Sequence, residues 1–430
     1  MRSCRLVLAL APLAMPLCSS AASAGSSAES PAAPGELRLT VEQTVDLGIR
    51  HNRRLGSMDL DTDILSHRMR SLDWVDNPQI RVRNLAHRSG AAPFDELEIG
   101  LRWRPPAIRE TKVRRQRRTA SFWQLKVEAI RERHWLASRV RRSCADVIMY
   151  SRLARHASQR IEVETLRIAQ VRTMVEVGRR SIVYFTKARM AVAEARQNHL
   201  RIQHALGEEK RRLRRLTGIA RPIQVISEAV PEVLLAEDRL LELAFDNRPE
   251  IRLAEEQKQL ALDRKALERW RLLPQLSFLE VSRHVERSQD DWHELRFGLE
   301  LPLFNRNADN LAGLSLAVSG SELGVLGIRE RIVDEVRETL SDYTEALLAH
   351  NLARREGDAL IEAASRVIAG TRDHATVPSD EILELERMIM DARVAITESE
   401  RDLAHALCFL YYELGIEDPK ALLREPDHEE

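Results

Sequence analysis

Residues able to do covalent or metal chemistry are scattered through this chain. Its 13 histidines are dispersed. The pair His293-Glu294 lacks the second histidine that a zinc-protease helix carries one turn further on, where two imidazoles share a face and the glutamate acts as base. Neither a glycine-rich phosphate loop nor a Gly-x-Ser-x-Gly elbow occurs. Cys4 and Cys18 fall in an N-terminal segment that reads as a signal, which leaves Cys144 and Cys408 inside helical patterns, as two buried thiols or as a disulfide. The expectation is therefore no catalytic residue, no cofactor and no metal centre. What remains is charge. Arg81, Arg83, Arg102 and Arg104 cluster in one stretch, with Arg296 and Glu300 in another. Charge of that kind lines a surface and does no bond chemistry.

The elements that position these charges follow from composition. In 430 residues, Lys+Arg 66 balances Asp+Glu 66, which removes the basic excess of a nucleic-acid binder. Charged residues are 31% and aromatics 4%, with only 17 Gly and 16 Pro, so long solvated helices with few turns are expected. Arg2 and Arg5, the apolar run Leu6 to Leu17 and Ala22-Ser23-Ala24 form a secretory signal, residues 1–24. Cys18 is preceded by Met15-Pro16-Leu17, which lacks the small residue of a lipidation site. Beyond the signal no stretch reads as a membrane-spanning helix, so a membrane protein built this way must span by strands.

The chain is written twice. Trp74, Pro78 and Gln79 recur as Trp270, Pro274 and Gln275, a shift of 196 (270 − 74). Glu96-Leu97 and Gly100-Leu101 recur as Glu294-Leu295 and Gly298-Leu299 at 198 (298 − 100). His51-Asn52-Arg53 matches Asp246-Asn247-Arg248 at 195, and Gly218 matches Gly415 at 197. The expected organisation is a flexible lead 25–36, a first repeat 37–218, a linker 219–237, a second repeat 238–415 and a tail 416–430. Each repeat reads helix, strand, strand, long helix, turn, long helix. The first helices are expected over Thr40 to Asp73 and Leu240 to Arg271, since the residue before proline leaves the helical region.

The strands alternate. Leu97, Ile99, Leu101 and Trp103 interleave with Glu98, Gly100, Arg102 and Arg104, as Leu295, Phe297, Leu299 and Leu301 do with Arg296, Gly298 and Glu300. Over Gln79 to Leu85, Ile80 and Val82 oppose Arg81 and Arg83, and the strand after Pro274 breaks phase near Leu279-Glu280-Val281, which predicts a bulge. Such strands suit an amphipathic sheet on a soluble core or a barrel wall shared among several protomers, since four strands cannot close alone. From Glu110 to Val177 there is neither Gly nor Pro, enough for a helix about 100 Å long. After Gly178-Arg179-Arg180 a heptad seam runs through Phe185, Val192, His199, Leu206 and Leu213, and through Ala188, Ala195, Ile202, Glu209 and Leu216. His199 and Glu209 set register there or face water.

From Leu37 to Gly415 this pattern resembles the TolC-type outer-membrane efflux factors. The opening Leu39-Thr40-Val41-Glu42-Gln43-Thr44-Val45, the Asn247-Arg248-Pro249-Glu250-Ile251 element and the strand exit Leu299-Glu300-Leu301-Pro302-Leu303-Phe304 carry the likeness. Phe304-Asn305-Arg306-Asn307 is similar to the cobalt–zinc–cadmium subgroup. The resemblance implies a mainly α protein with a β-barrel part. In it a homotrimer shares one outer-membrane barrel above a periplasmic coiled-coil tunnel, and works with an adaptor protein and an inner-membrane pump. It also implies a periplasmic tip at Gly178, Arg179, Arg180 and Ser181 and at Gly370 and Ser379, where Gly ends one helix and Ser caps the next. Arg372, Asp373 and Asp380 are candidates for a charged ring closing the aperture, in a second turn longer than the family's. Arg81, Arg83, Arg102, Arg104, Arg296 and Glu300 would line the barrel lumen. The competing reading is a periplasmic coiled-coil adaptor or scaffold, which predicts a single hairpin where this chain has two.

Overall fold

The computed structural model describes residues 37–70, 76–85, 96–226, 236–286, 291–302, 307–374 and 379–417. The signal, the flexible lead and Phe304-Asn305-Arg306 lie outside them. The elements run β1 (Leu37–Leu39), α1 (Val41–His51), α2 (Arg53–Arg70), β2 (Gln79–Leu85), β3 (Glu96–Trp103), α3 (Glu110–Glu176) and α4 (Ile182–Thr217). After β4 (Ile223–Val225) the order repeats as α5 (Glu237–Asn247), α6 (Pro249–Trp270), β5 (Gln275–Glu286), β6 (Trp292–Glu300), α7 (Ala308–His374) and α8 (Ser379–Glu413).

Three expectations need correction. The single opening helix is broken in both repeats, at Asn52 and at Arg248, both of which adopt extended backbone. At the first break the Asn52 carboxamide oxygen accepts from the Arg54 and Leu55 N–H groups, so a side chain replaces the lost helical bonds. At the second, Pro249 supplies no N–H and starts α6. The linker is not loose throughout either. Its residues Ile223–Val225 pair in parallel with Leu37–Leu39, tying the start of the first repeat to its end. The second repeat also reaches past Gly415, because Ile416 is buried in its core.

Each repeat has its own apolar core at the level of the helix break. The first gathers Val45, Leu55, Leu136, Val140, Val147 and Leu213, and the second gathers Leu240, Ile251, Ile332, Val336, Tyr343 and Leu410. The repeat motifs meet there. Gly218 and Gly415 end α4 and α8 at φ of 69° and 65°, and a Cβ on either would lie 3.2–3.3 Å from the Cβ of His51 or Asn247. A left-handed cap pressed against a helix break admits glycine, which explains why these short motifs recur together.

The long helices pair as two hairpins, α3 with α4 and α7 with α8, and α3 also packs along α8 and α6. Every seam position of α4 is buried or half-buried, from Phe185 to Leu216, while flanking positions such as Met190 and Leu200 are exposed. Cross-hairpin ion pairs Arg160–Asp391 (3.2 Å), Arg167–Glu384 (3.8 Å) and Arg152–Glu400 run down the α3–α8 contact. Cys144 and Cys408 are free and buried at this level. Contrary to the sequence expectation, the N-terminal part of α7 is apolar enough, by length and composition alone, to cross a membrane. Its Gly, Ala and Ser dilute the Leu and Val that usually flag such a stretch, and in the structure it is the start of a 67-residue helix.

Candidate functional site

The four long strands form one antiparallel sheet in the order β2-β3-β5-β6. Among the described residues no helix packs extensively on it. One face carries Ile80, Val82, Ile99, Leu101, Val281, Val285, Leu295, Phe297, Leu299 and Leu301, all exposed and several more than 60% so. The other face carries Glu98, Glu280, Ser282 and His284, each 3% exposed or less. The sheet is inside out. A water-soluble sheet hides its apolar face and wets its polar one. At about 1.5–3 kcal/mol for each fully buried side chain, this arrangement leaves on the order of 10 kcal/mol of apolar burial unclaimed in one chain.

Alternation puts four of the expected lining residues on the polar face. Arg81 and Arg102 lie 3.6 and 3.8 Å from Glu280, and Arg83 and Arg296 lie 3.8 and 3.0 Å from Glu98. Arg296 also pairs with Glu294, which accepts from His284 at 3.1 Å. These arginines thus belong to a mixed-charge network around two deeply placed carboxylates. Glu300 ends β6 in phase with Arg296 and is exposed, and Arg104 lies past the end of β3, also exposed. Glu98, Glu280, His284 and Glu294 were not among the lining residues expected from the sequence. The bulge between Leu276 and Phe278 shifts the phase of β5, so its polar residues do not line up with those before it. It also brings Phe278 onto the polar face, where the Arg102 guanidinium sits 3.8 Å over its ring.

The apolar face has a polar end. Arg283 and His293 stand opposite each other near the β5–β6 turn, and Arg283 pairs with Asp291. Between that pair and Leu301, β6 presents its apolar residues from Leu295 over six residues, about 20 Å at about 3.4 Å per residue. That is close to the height of the apolar band on a membrane barrel, roughly 25 Å.

At the end of the first hairpin away from the sheet lies the α3–α4 turn. Arg179 N–H donates to the Met174 carbonyl (2.8 Å) and Gly178 N–H to that of Val175 (3.0 Å), with Gly178 at φ 74°. This pair of bonds is the Schellman arrangement, which needs a left-handed residue at Gly178. Ser181 is the first cap of α4, but its hydroxyl makes no capping bond, against expectation; Tyr184 N–H instead donates to the Ser181 carbonyl. Val177, Ile182, Val183 and Tyr184 are exposed around the turn, and the Arg180 guanidinium lies 4.8 Å over the Tyr184 ring. The second turn does not begin at Gly370. Helix α7 runs through Gly370 to His374, so Arg372 and Asp373 are in its last turn, while Ser379 and Asp380 open α8. The side chains of 371–380 are outside the described residues, so the aperture ring remains a sequence-based expectation.

Among the described residues no cluster of His, Cys, Asp or Glu is suited to hold a metal ion. Burial pushes the Cys408 thiol up to about 12 and raises that of Cys144 further, so neither is a nucleophile in the folded chain.

No protein-family model matches the sequence, and no curated protein matches it. Solved structures do. The chain is similar to the transmembrane channel CusC, with a TM-score of 0.69 at 17% identity over 91% of this chain and 96% of that one. It is similar to the outer-membrane channel OprN (0.67, 15%, covering 87% and 89%) and to the Campylobacter jejuni CmeC outer membrane channel (0.65, 12%, covering 87% and 85%). The chain therefore has the fold of the TolC-type outer-membrane channels, along nearly its whole described length.

Proposed function

We propose that the protein is the outer-membrane channel of a tripartite efflux system. Three copies would join their four-stranded sheets into one barrel, and the α3–α4 and α7–α8 hairpins would form a tunnel below it. The observation that carries this is the inverted sheet: apolar side chains outward, Glu98, Glu280 and their arginines inward. Lipid satisfies the first face and a water-filled lumen the second. The channel fold shared with the similar structures supports the same reading and disfavours a one-hairpin adaptor or scaffold.

In this reading the exposed tip, Gly178 to Ser181 with Val177, Ile182 and Tyr184 around it, meets a periplasmic adaptor that links the duct to an inner-membrane pump. Cargo is small molecules or heavy-metal ions, the latter from the similarity of Phe304-Asn305-Arg306-Asn307 to the cobalt–zinc–cadmium subgroup. A duct of this kind transmits its cargo and needs neither catalyst nor cofactor. The test is fractionation with conductance. The mature protein should sediment with outer membranes, migrate as a trimer in mild detergent and give steady conductance in planar bilayers. A monomer recovered in the soluble periplasmic fraction would refute the reading.

A further inference from the structure

The sheet of one chain contains a seam between the repeats, where β3 of the first meets β5 of the second. It also has two open edges among the described residues, β2 and β6. Across the inner seam Arg102 stands opposite Glu280 and Trp103 opposite Leu279. The Arg102 guanidinium and Glu280 carboxylate are 3.8 Å apart.

The repeat translates this seam onto the open edges. Strand β6 is the counterpart of β3 at a shift of 198 (298 − 100), so Arg102 corresponds to Glu300 and Trp103 to Leu301. Strand β2 stands to β3 as β5 stands to β6. Arg83 opposes Glu98 as Glu280 opposes Arg296, and Val82 opposes Ile99 as Leu279 opposes Phe297. Arg83 is therefore the counterpart of Glu280, and Val82 of Leu279.

Resting on the channel reading above, we propose that the seam between copies repeats the seam within the chain. Glu300 then faces the partner subunit's Arg83, and Leu301 faces the partner subunit's Val82. Two features of the residues support this register. Both members of the Arg102–Glu280 pair exchange sign together, giving Glu300–Arg83, so attraction is kept although each residue type is reversed. The pleat also agrees: Glu300 and Arg83 belong to the polar faces of their strands, whereas Leu301 and Val82 are exposed apolar residues of the other face, 53% and 64% accessible. A slip of one residue either way would set Leu301 against the partner subunit's Arg81 or the partner subunit's Arg83 and take Glu300 off its arginine.

The helices carry the same signature of a missing neighbour. In the first repeat Ala120 and Val127 of α3 are buried, on a helix that α6 and α8 of the second repeat flank. Their counterparts at a shift of 196 are Leu316 and Leu323 of α7, which are 75% and 69% exposed. Leu60 and Ile64 of α2, the counterpart of α6, are exposed as well. The operation that pairs Glu300 with Arg83 lays α2 of the partner subunit against this face of α7, as α6 lies against α3.

Paired cysteines in the full-length protein test the register. Hydrogen-bonded and non-hydrogen-bonded pairs alternate along an antiparallel seam, so Glu300→Cys with Arg83→Cys and Leu301→Cys with Val82→Cys cover both geometries. At least one of these doubles should give an oxidised ladder up to a covalent trimer in outer-membrane fractions. The displaced pair Leu301→Cys with Ile80→Cys should not. A protein that is trimeric in detergent before oxidation, yet cross-links only through the displaced pair or through none, would overturn the register while leaving the channel reading intact. A monomer before oxidation would overturn both. In parallel, Glu300→Arg should lower the temperature at which the trimer dissociates by more than Glu300→Gln does; equal effects of the two would count against the pair.

Discussion

Replacing Phe297 by arginine separates a lipid-facing sheet from a water-facing one by the sign of its effect. Phe297 lies near the middle of the apolar run of β6 and is 62% exposed, and among the described residues no helix packs extensively on its sheet. If that surface meets hydrocarbon, an arginine near the membrane midplane costs about 2–4 kcal/mol per chain. Summed over three copies this is about 6–12 kcal/mol, enough to abolish a stable assembly. If the surface meets water, the change removes an exposed apolar ring, adds a soluble charge and shifts stability by no more than about 0.5 kcal/mol. The assay is the trimer fraction on unboiled gels against temperature, together with outer-membrane yield, for Phe297→Arg and for the apolar control Phe297→Leu. The leucine variant should stay within about 1.5 kcal/mol of the parent. An arginine variant with parental yield and dissociation temperature would refute the inference that this face is lipid-exposed.

Three further outcomes follow from local geometry. Gly178→Val should destabilise the hairpin tip by about 1–3 kcal/mol through its left-handed backbone alone, since a Cβ there meets no atom within 4 Å, whereas Gly178→Asn should be nearly neutral. A resistance assay on a strain lacking its own duct should show reduced efflux for valine with the trimer retained, and normal resistance would argue against docking at the tip. Cys144 and Cys408 are buried with thiols raised well above their ordinary range, so maleimide at neutral pH should label the mature protein only after denaturation, and labelling of the folded trimer would contradict their burial. Burial lowers His134 below the ordinary histidine value, against a partial pull upward from Glu417 at 3.7 Å. The unfolded chain then takes up the proton first, so stability is unaffected above a pH of about 6.5, falls as pH drops below it by at most about 1.4 kcal/mol per unit, and levels off under the folded value. His134→Gln should flatten that part of the urea midpoint profile between pH 7 and 5, and an unchanged slope would assign the acid sensitivity elsewhere.

The sequence by itself settled what is periodic. The duplication, the strands Gln79–Leu85 and Glu96–Trp103, the uninterrupted helix from Glu110 and the α4 seam are all local patterns, and each appears at or within a residue of its expected place. Patterns of that kind survive because a strand's faces and a helix's stripe are fixed by backbone geometry whatever packs against them. Alternation also told which residues share a face, but not which face is covered. That depends on whether a helix lies over the sheet, and a strand carries no record of its neighbours. Only the tertiary structure left Phe297 and Ile80 bare, buried Glu98 and Glu280 among the arginines, and paired the charges of that face. It also decided the breaks at Asn52 and Arg248 and the pairing of β1 with β4, where a cap, a proline or a distant strand outweighs helical propensity. Spacing along a chain is a one-dimensional property, whereas which surface meets lipid, water or another copy is set by everything the fold places around it.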